Sequence, residues 1–162
     1  MNSPEELIEY LQNGVDDAKS IDFDFDGMAS DVLKNFDVSD DAFQFVGPII
    51  KFIENNPGVD FGQPGALVHF VEKFYRRGYE DLLVSSLERH PTVHTVWMLN
   101  RIINDPSCQN RKKYIDFLRR IEKQDDVGEE VKEGIRFFWI PRDLGLVSSP
   151  RNRKTIAPRA SW

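Results

Sequence analysis

The residues with the clearest capacity for chemistry are the three aspartates of Asp22-Phe23-Asp24-Phe25-Asp26-Gly27. Carboxylates at alternate positions before a glycine repeat the first half of a calcium-binding loop, where hard oxygen ligands gather round a cation. The twelfth position of such a loop supplies a bidentate glutamate, and here it is Leu33. Phe23 and Phe25 also stand where such loops carry polar groups. The spacing therefore predicts an extended segment with both rings turned inward. Asp22, Asp24 and Asp26 then face outward as a row of negative charge.

The other reactive side chains converge less. His90 and His94 are four apart, the spacing of paired zinc ligands on a helix, but Pro91 between them interrupts the regular geometry. Cys108 is the single cysteine, so no second thiol completes a zinc set or an internal disulfide. His69 and Glu72 lie one helical turn apart and read as a structural hydrogen bond. Ser85, Ser86, Ser148 and Ser149 lack the glycine-flanked strand-to-helix turn of an exposed nucleophile. Neither G-x-G-x-x-G nor G-x-x-x-x-G-K-[ST] occurs, so nucleotide phosphates have no glycine-rich cradle. The expectation is a non-enzymatic protein with no cofactor and no metal.

Charge is more informative. Residues 1–60 hold 14 acids against 3 bases, a net of −11, while residues 61–162 hold 18 bases against 13 acids, a net of +5. Clustered acids repel nucleic acid and speed encounter with a cationic partner. The predicted partner surface is acidic: Asp16, Asp17, Asp22, Asp24 and Asp26 at its centre, extended by Asp37, Asp40 and Asp41. The basic runs Arg111-Lys112-Lys113 and Arg119-Arg120 interleave with Asp116, Glu122 and Asp125, as a solvated helix face does. The third, Arg151-Asn152-Arg153-Lys154, lies in the C-terminal segment, and a whole-chain pI near 5.1 argues against nucleic acid as the partner.

The elements that must hold these residues are helices. At 162 residues, 40% hydrophobic and with 12 phenylalanines, the chain can bury a core without disulfides. It carries no long apolar run and no basic-then-apolar leader, so neither a membrane span nor a secretory signal is expected, and the expected location is the cytoplasm. Ser3, Pro4 and Glu6 open a helix that Gly14 ends. A second covers Met28 to Phe36. Ser39 caps a third, with Phe43, Val46, Ile49, Ile50 and Ile53 on one face and Pro48 as a kink or division. Pro64 begins a fourth that runs to Arg77-Gly78. The next spans Glu80 to Arg89, another opens at Pro91-Thr92, another is capped by Ser107, and the last runs from Val127 to Trp139. Phe137, Phe138 and Trp139 cannot all face one core, so at least one covers the C-terminal segment or a partner.

Helices with joins this short pack as antiparallel neighbours. The fold class expected is all-α, an irregular HEAT-like stack of helix pairs over residues 1–141, with an irregular helical bundle as the alternative. Residues 142–162 form a basic, turn-rich tail.

The segments Pro64–Glu72, Tyr79–Leu83 and Arg89–Asn104 resemble the helical core of the bacterial immunity proteins that accompany polymorphic or contact-dependent growth inhibition toxins. The likeness is one of packing pattern. It implies a cytoplasmic, non-enzymatic protein that binds and neutralises a cognate toxin domain by direct contact. An acidic member would suit a basic, nuclease-like toxin. Contact residues differ between members of that family, so none transfers to this chain. A HEAT-like adaptor for a cellular protein is the other binding role these features allow.

Overall fold

The computed structural model describes residues 3–17, 23–36 and 41–139, the side chains of Asp17 and Trp139 excepted. Among them the chain is all-α. Eight helices run in order: α1 (Pro4–Asp17), α2 (Phe25–Leu33), α3 (Val46–Asn55), α4 (Ala66–Glu72), α5 (Tyr79–Arg89), α6 (Val93–Asn104), α7 (Arg111–Glu122) and α8 (Glu129–Trp139). A short 3₁₀ turn, Asp41–Phe45, leads into α3. No described helix is long and apolar enough to cross a membrane. The principal pairings join helices no more than three apart in the chain, with α3 touching α1, α4, α5 and α6, and α6 touching α3, α5, α7 and α8. These two helices are the spine. α3 buries Val46, Ile49, Ile50, Phe52 and Ile53, and α6 buries Val96, Trp97, Met98, Leu99, Ile102 and Ile103.

Several boundaries differ from those expected, each for a local reason. α1 begins as predicted, with the Ser3 hydroxyl accepting the Glu6 amide at 3.3 Å, but it runs through Gly14 to Asp17. A Cβ at Gly14 would overlap the end of the Met28 side chain, so this glycine lets α1 and α2 approach and does not stop the helix. Phe23 and Asp24 precede α2 and Asp22 lies outside the described residues, but residues 25–27 of the segment expected to be extended form the first turn of α2. The Asp24 carboxylate caps it by accepting the Gly27 amide at 2.9 Å, and Phe25 is buried in the first turn. Pro48 falls in the first turn of α3, where its missing N–H costs nothing, and the helix expected from Ser39 is divided just before it into the 3₁₀ turn Asp41–Phe45 and α3. The expected cap Ser39 lies outside the described residues.

The helix expected from Pro64 begins at Ala66 and lasts only seven residues, and turns connect it to Gly78. Ser107 does not cap α7. Its amide and hydroxyl both go to Asp105, in a turn that precedes Asn110, the residue before the helix. By contrast α6 begins as Pro91-Thr92 implied, with Thr92 and Thr95 exchanging side-chain-to-backbone hydrogen bonds at 3.2 and 3.0 Å.

Two buried side-chain oxygens meet no hydrogen-bond partner among the described residues, the Tyr79 hydroxyl and Glu80 Oε2. Tyr79 is fully buried at the start of α5, and burial holds its phenol far above the usual value. A buried hydroxyl that has lost water and gained nothing costs about 1–3 kcal/mol. Tyr79→Phe removes that cost with little change of shape. It should raise the melting temperature by roughly 2–4 °C for about 1 kcal/mol gained. A thermal melt showing the variant less stable than the parent would disprove this account of the core.

Candidate functional site

A concavity lies where the end of α1, the start of α2 and the segment 58–62 meet. It encloses about 540 Å³, with Asp24, Asp26 and Asp60 on a wall shared with Val15, Phe23 and Val59. Each carboxylate is placed by backbone amides. Asp24 caps α2, Asp60 accepts the Gly62 amide at 2.9 Å, and Asp26 reaches across to the Ala66 amide at 2.6 Å. That last bond spans 40 positions and sets the first turn of α4 against α2. An anionic oxygen at a helix start is favoured by the orphan N–H groups and by the helix dipole. The fit at Asp26 is tight, since the oxygen lies beside Gly65, where a side chain would have no room.

The segment 58–62 is rigid for a visible reason. Phe61 is 2% exposed and packs against Phe25 at 5.6 Å, Phe52 at 5.8 Å and the His94 ring at 5.2 Å between centroids. Burial holds the His94 imidazole below its usual pKa, against the opposing pull of hydrogen bonds to the Val59 and Pro57 carbonyls and of the Asp60 and Glu130 charges. At neutral pH it is an uncharged strut behind the cleft.

The eight aspartates expected at the partner surface are therefore distributed as follows. Asp24 and Asp26 come together at the cleft. Asp16 is exposed at the end of α1, next to the cleft residue Val15, and Asp17 is the last residue of that helix. Asp41 opens the 3₁₀ turn and does not line the cleft. Asp22, Asp37 and Asp40 lie outside the described residues. Asp60 was missed, although its place in Gly58-Val59-Asp60-Phe61-Gly62, just after a Pro-Gly turn, marks it as a loop carboxylate.

Asp22 of the half calcium loop lies outside the described residues. Asp24 and Asp26 are spent on two different helix starts, and no group of three or more His, Cys, Asp or Glu among the described residues is disposed to hold a metal. His69 stays 3.9 Å from Glu72, whose carboxylate instead takes a bidentate pair from Arg101 at 2.5 and 3.0 Å. Ser86 donates to Glu54. His94 packs on Phe61 and His90 ends α5, so the two histidines share no site.

A second, smaller cavity of about 280 Å³ is lined by Tyr75, Glu80, Cys108 and Tyr114 among others. Its polar walls are largely committed. The Tyr75 hydroxyl donates to Asp105 at 2.8 Å, and burial together with that bond pushes its phenol up to about 12. The larger cleft sets carboxylates fixed by backbone amides beside apolar side chains. Comparison of the chain with family models, with curated proteins and with solved structures gives no match.

Proposed function

We propose that this chain is a toxin-neutralising immunity protein, a HEAT-like stack that captures a basic toxin domain, of the nuclease type, through its acidic N-terminal face. One observation carries the reading. Asp24, Asp26 and Asp60 are held by backbone amides around a cleft that they line together with Val15, Phe23 and Val59. Amides that fix carboxylates before a partner arrives remove the ordering cost of binding, and fixed charge speeds encounter. The neighbouring apolar side chains let a docked lysine or arginine bury its methylene stem. A nuclease presents such cations in the cleft that holds its substrate's phosphates, so an acidic inhibitor occupies the surface that nucleic acid needs.

The test uses the toxin domain encoded immediately before this chain's gene, co-expressed and co-purified with it. The triple variant Asp16→Asn, Asp24→Asn, Asp60→Asn removes three charges while asparagine can still cap the Gly27 and Gly62 amides. Its association rate should fall about tenfold at low salt, and the gap should close as salt screens the surface. A complex that forms at the parental rate in all salts would overturn the acidic-face mechanism. Failure of the parent chain to bind or to protect growing cells would overturn the immunity role itself.

A further inference from the structure

The loop 57–62 follows α3 and supplies Gly58, Val59, Asp60 and Gly62 to the lining of the cleft. Its backbone hydrogen bonds are local. The Val59 amide donates to the Asn56 carbonyl at 3.1 Å, and the Gly62 amide to the Asp60 carboxylate at 2.9 Å. What fastens the loop to the helices is side-chain packing, chiefly the buried Phe61, together with the ring of His94 on α6. That ring lies 5.2 Å from Phe61 between centroids and faces the Pro57 and Val59 carbonyls, so it meets the loop on both sides of Asp60.

A neutral imidazole suits this place and an imidazolium does not. The ring is partly buried, and the charges that bear on it are Asp60 of the loop and Glu130 of α8. Both carboxylates are exposed, so water screens their pull. Burial outweighs them and the two carbonyls together, and the folded ring binds its proton less readily than a free one. A charged ring needs water. Since α6 is packed by α3, α5, α7 and α8, the neighbour with the fewest ties, and the cheapest to displace, is the loop. We propose that His94 is an acid-released latch: neutral, it holds the loop 57–62 and Asp60 in the wall of the cleft, and protonated, it lets the loop go. The cleft is then complete at neutral pH and loses a wall in mild acid, whatever partner it captures. His94 is a positioning residue, acting on that partner only through Asp60 and Val59.

The latch contributes fully above the ordinary imidazole value of 6.5 and is lost as pH falls through the lowered folded value. The test is a pH titration of the full chain, followed by the His94 ring resonances and by hydrogen exchange at the Val59 and Gly62 amides, corrected for intrinsic rates. His94 should titrate below 6.5. From 6.5 down to the His94 midpoint, loop opening should rise by up to about tenfold per pH unit, the limit for one proton, and then level off. His94→Gln, whose amide can donate to a carbonyl but takes up no proton, should abolish that rise. His90→Gln, at the exposed end of α5, should keep it. If His94→Gln fails to fold, coincidence of the ring and loop midpoints in the parent decides alone. A ring that titrates at or above 6.5, loop exchange that ignores its midpoint, or a rise that survives His94→Gln would each overturn the latch. No partner enters the experiment, so its outcome is independent of the immunity role.

Discussion

Gly65→Ala should lower the melting temperature by roughly 6–12 °C, corresponding to about 3 kcal/mol in a domain of this size. The added methyl would overlap the Phe61 carbonyl oxygen and crowd the Asp26 carboxylate. The backbone of Gly65 has an ordinary φ of −92°, so the penalty is one of space and not of conformation. Neither neighbour can yield cheaply. Phe61 is wedged among Phe25, Phe52 and His94, and Asp26 holds the Ala66 amide. Opening the turn sacrifices a charge-assisted hydrogen bond, worth about 1.5–3 kcal/mol, and part of the aromatic packing as well. Gly58→Ala is the control, because its added methyl meets nothing within 4 Å. Equal melting temperatures for the two variants would show that the joint between α2 and α4 is not built as described. If the joint is correct, Gly65→Ala should also weaken partner capture, since Asp26 and Asp60 sit on either side of the displaced turn.

Which parts of this were legible beforehand follows from the range of each interaction. The faces of α3, α5 and α6 could be read because burial repeats every three or four residues, and the Thr92 cap because its partner Thr95 is three residues away. The sequence reads Asp24 and Asp26 as outward-facing members of an extended row. One of them caps its own helix and the other caps a helix 40 residues on, a relation no local pattern encodes. Gly14 was mistaken for a terminator for the same reason: what it accommodates, Met28, belongs to another helix. Asp105 competes for Ser107 over two residues and so defeats the capping rule.

Glu54 is the clearest case of a group whose meaning lies in a distant helix, and its removal is the second large effect expected. Its side chain is 1% exposed, near the end of α3. It accepts from Lys51 Nζ at 2.6 Å, from Ser86 Oγ at 2.8 Å and from an Arg89 guanidinium nitrogen at 2.9 Å, the latter two on α5. Burial alone pushes this carboxyl up, but the three donors and the Arg89 charge outweigh it and hold the group below its usual value. Breaking a buried pair by deleting one partner costs about 3–5 kcal/mol when the survivor is trapped. Here the cationic ends of Lys51 and Arg89 are half exposed and can turn to water, while the Ser86 hydroxyl cannot.

Glu54→Ala should therefore cost about 2–4 kcal/mol, and Glu54→Gln, which fills the space and keeps an acceptor, about half as much. The pH dependence carries a definite sign. Because the folded carboxyl binds its proton less readily than the unfolded one, its stabilisation is complete above the ordinary value of 4.5 and is lost as pH falls through the lowered folded value. Chemical denaturation across that acid range should thus show a steeper loss for the parent than for Glu54→Gln, so that the two curves converge. Curves that stay parallel would mean the carboxylate is not held ionised by α5, and that hydrophobic contact alone joins the two helices.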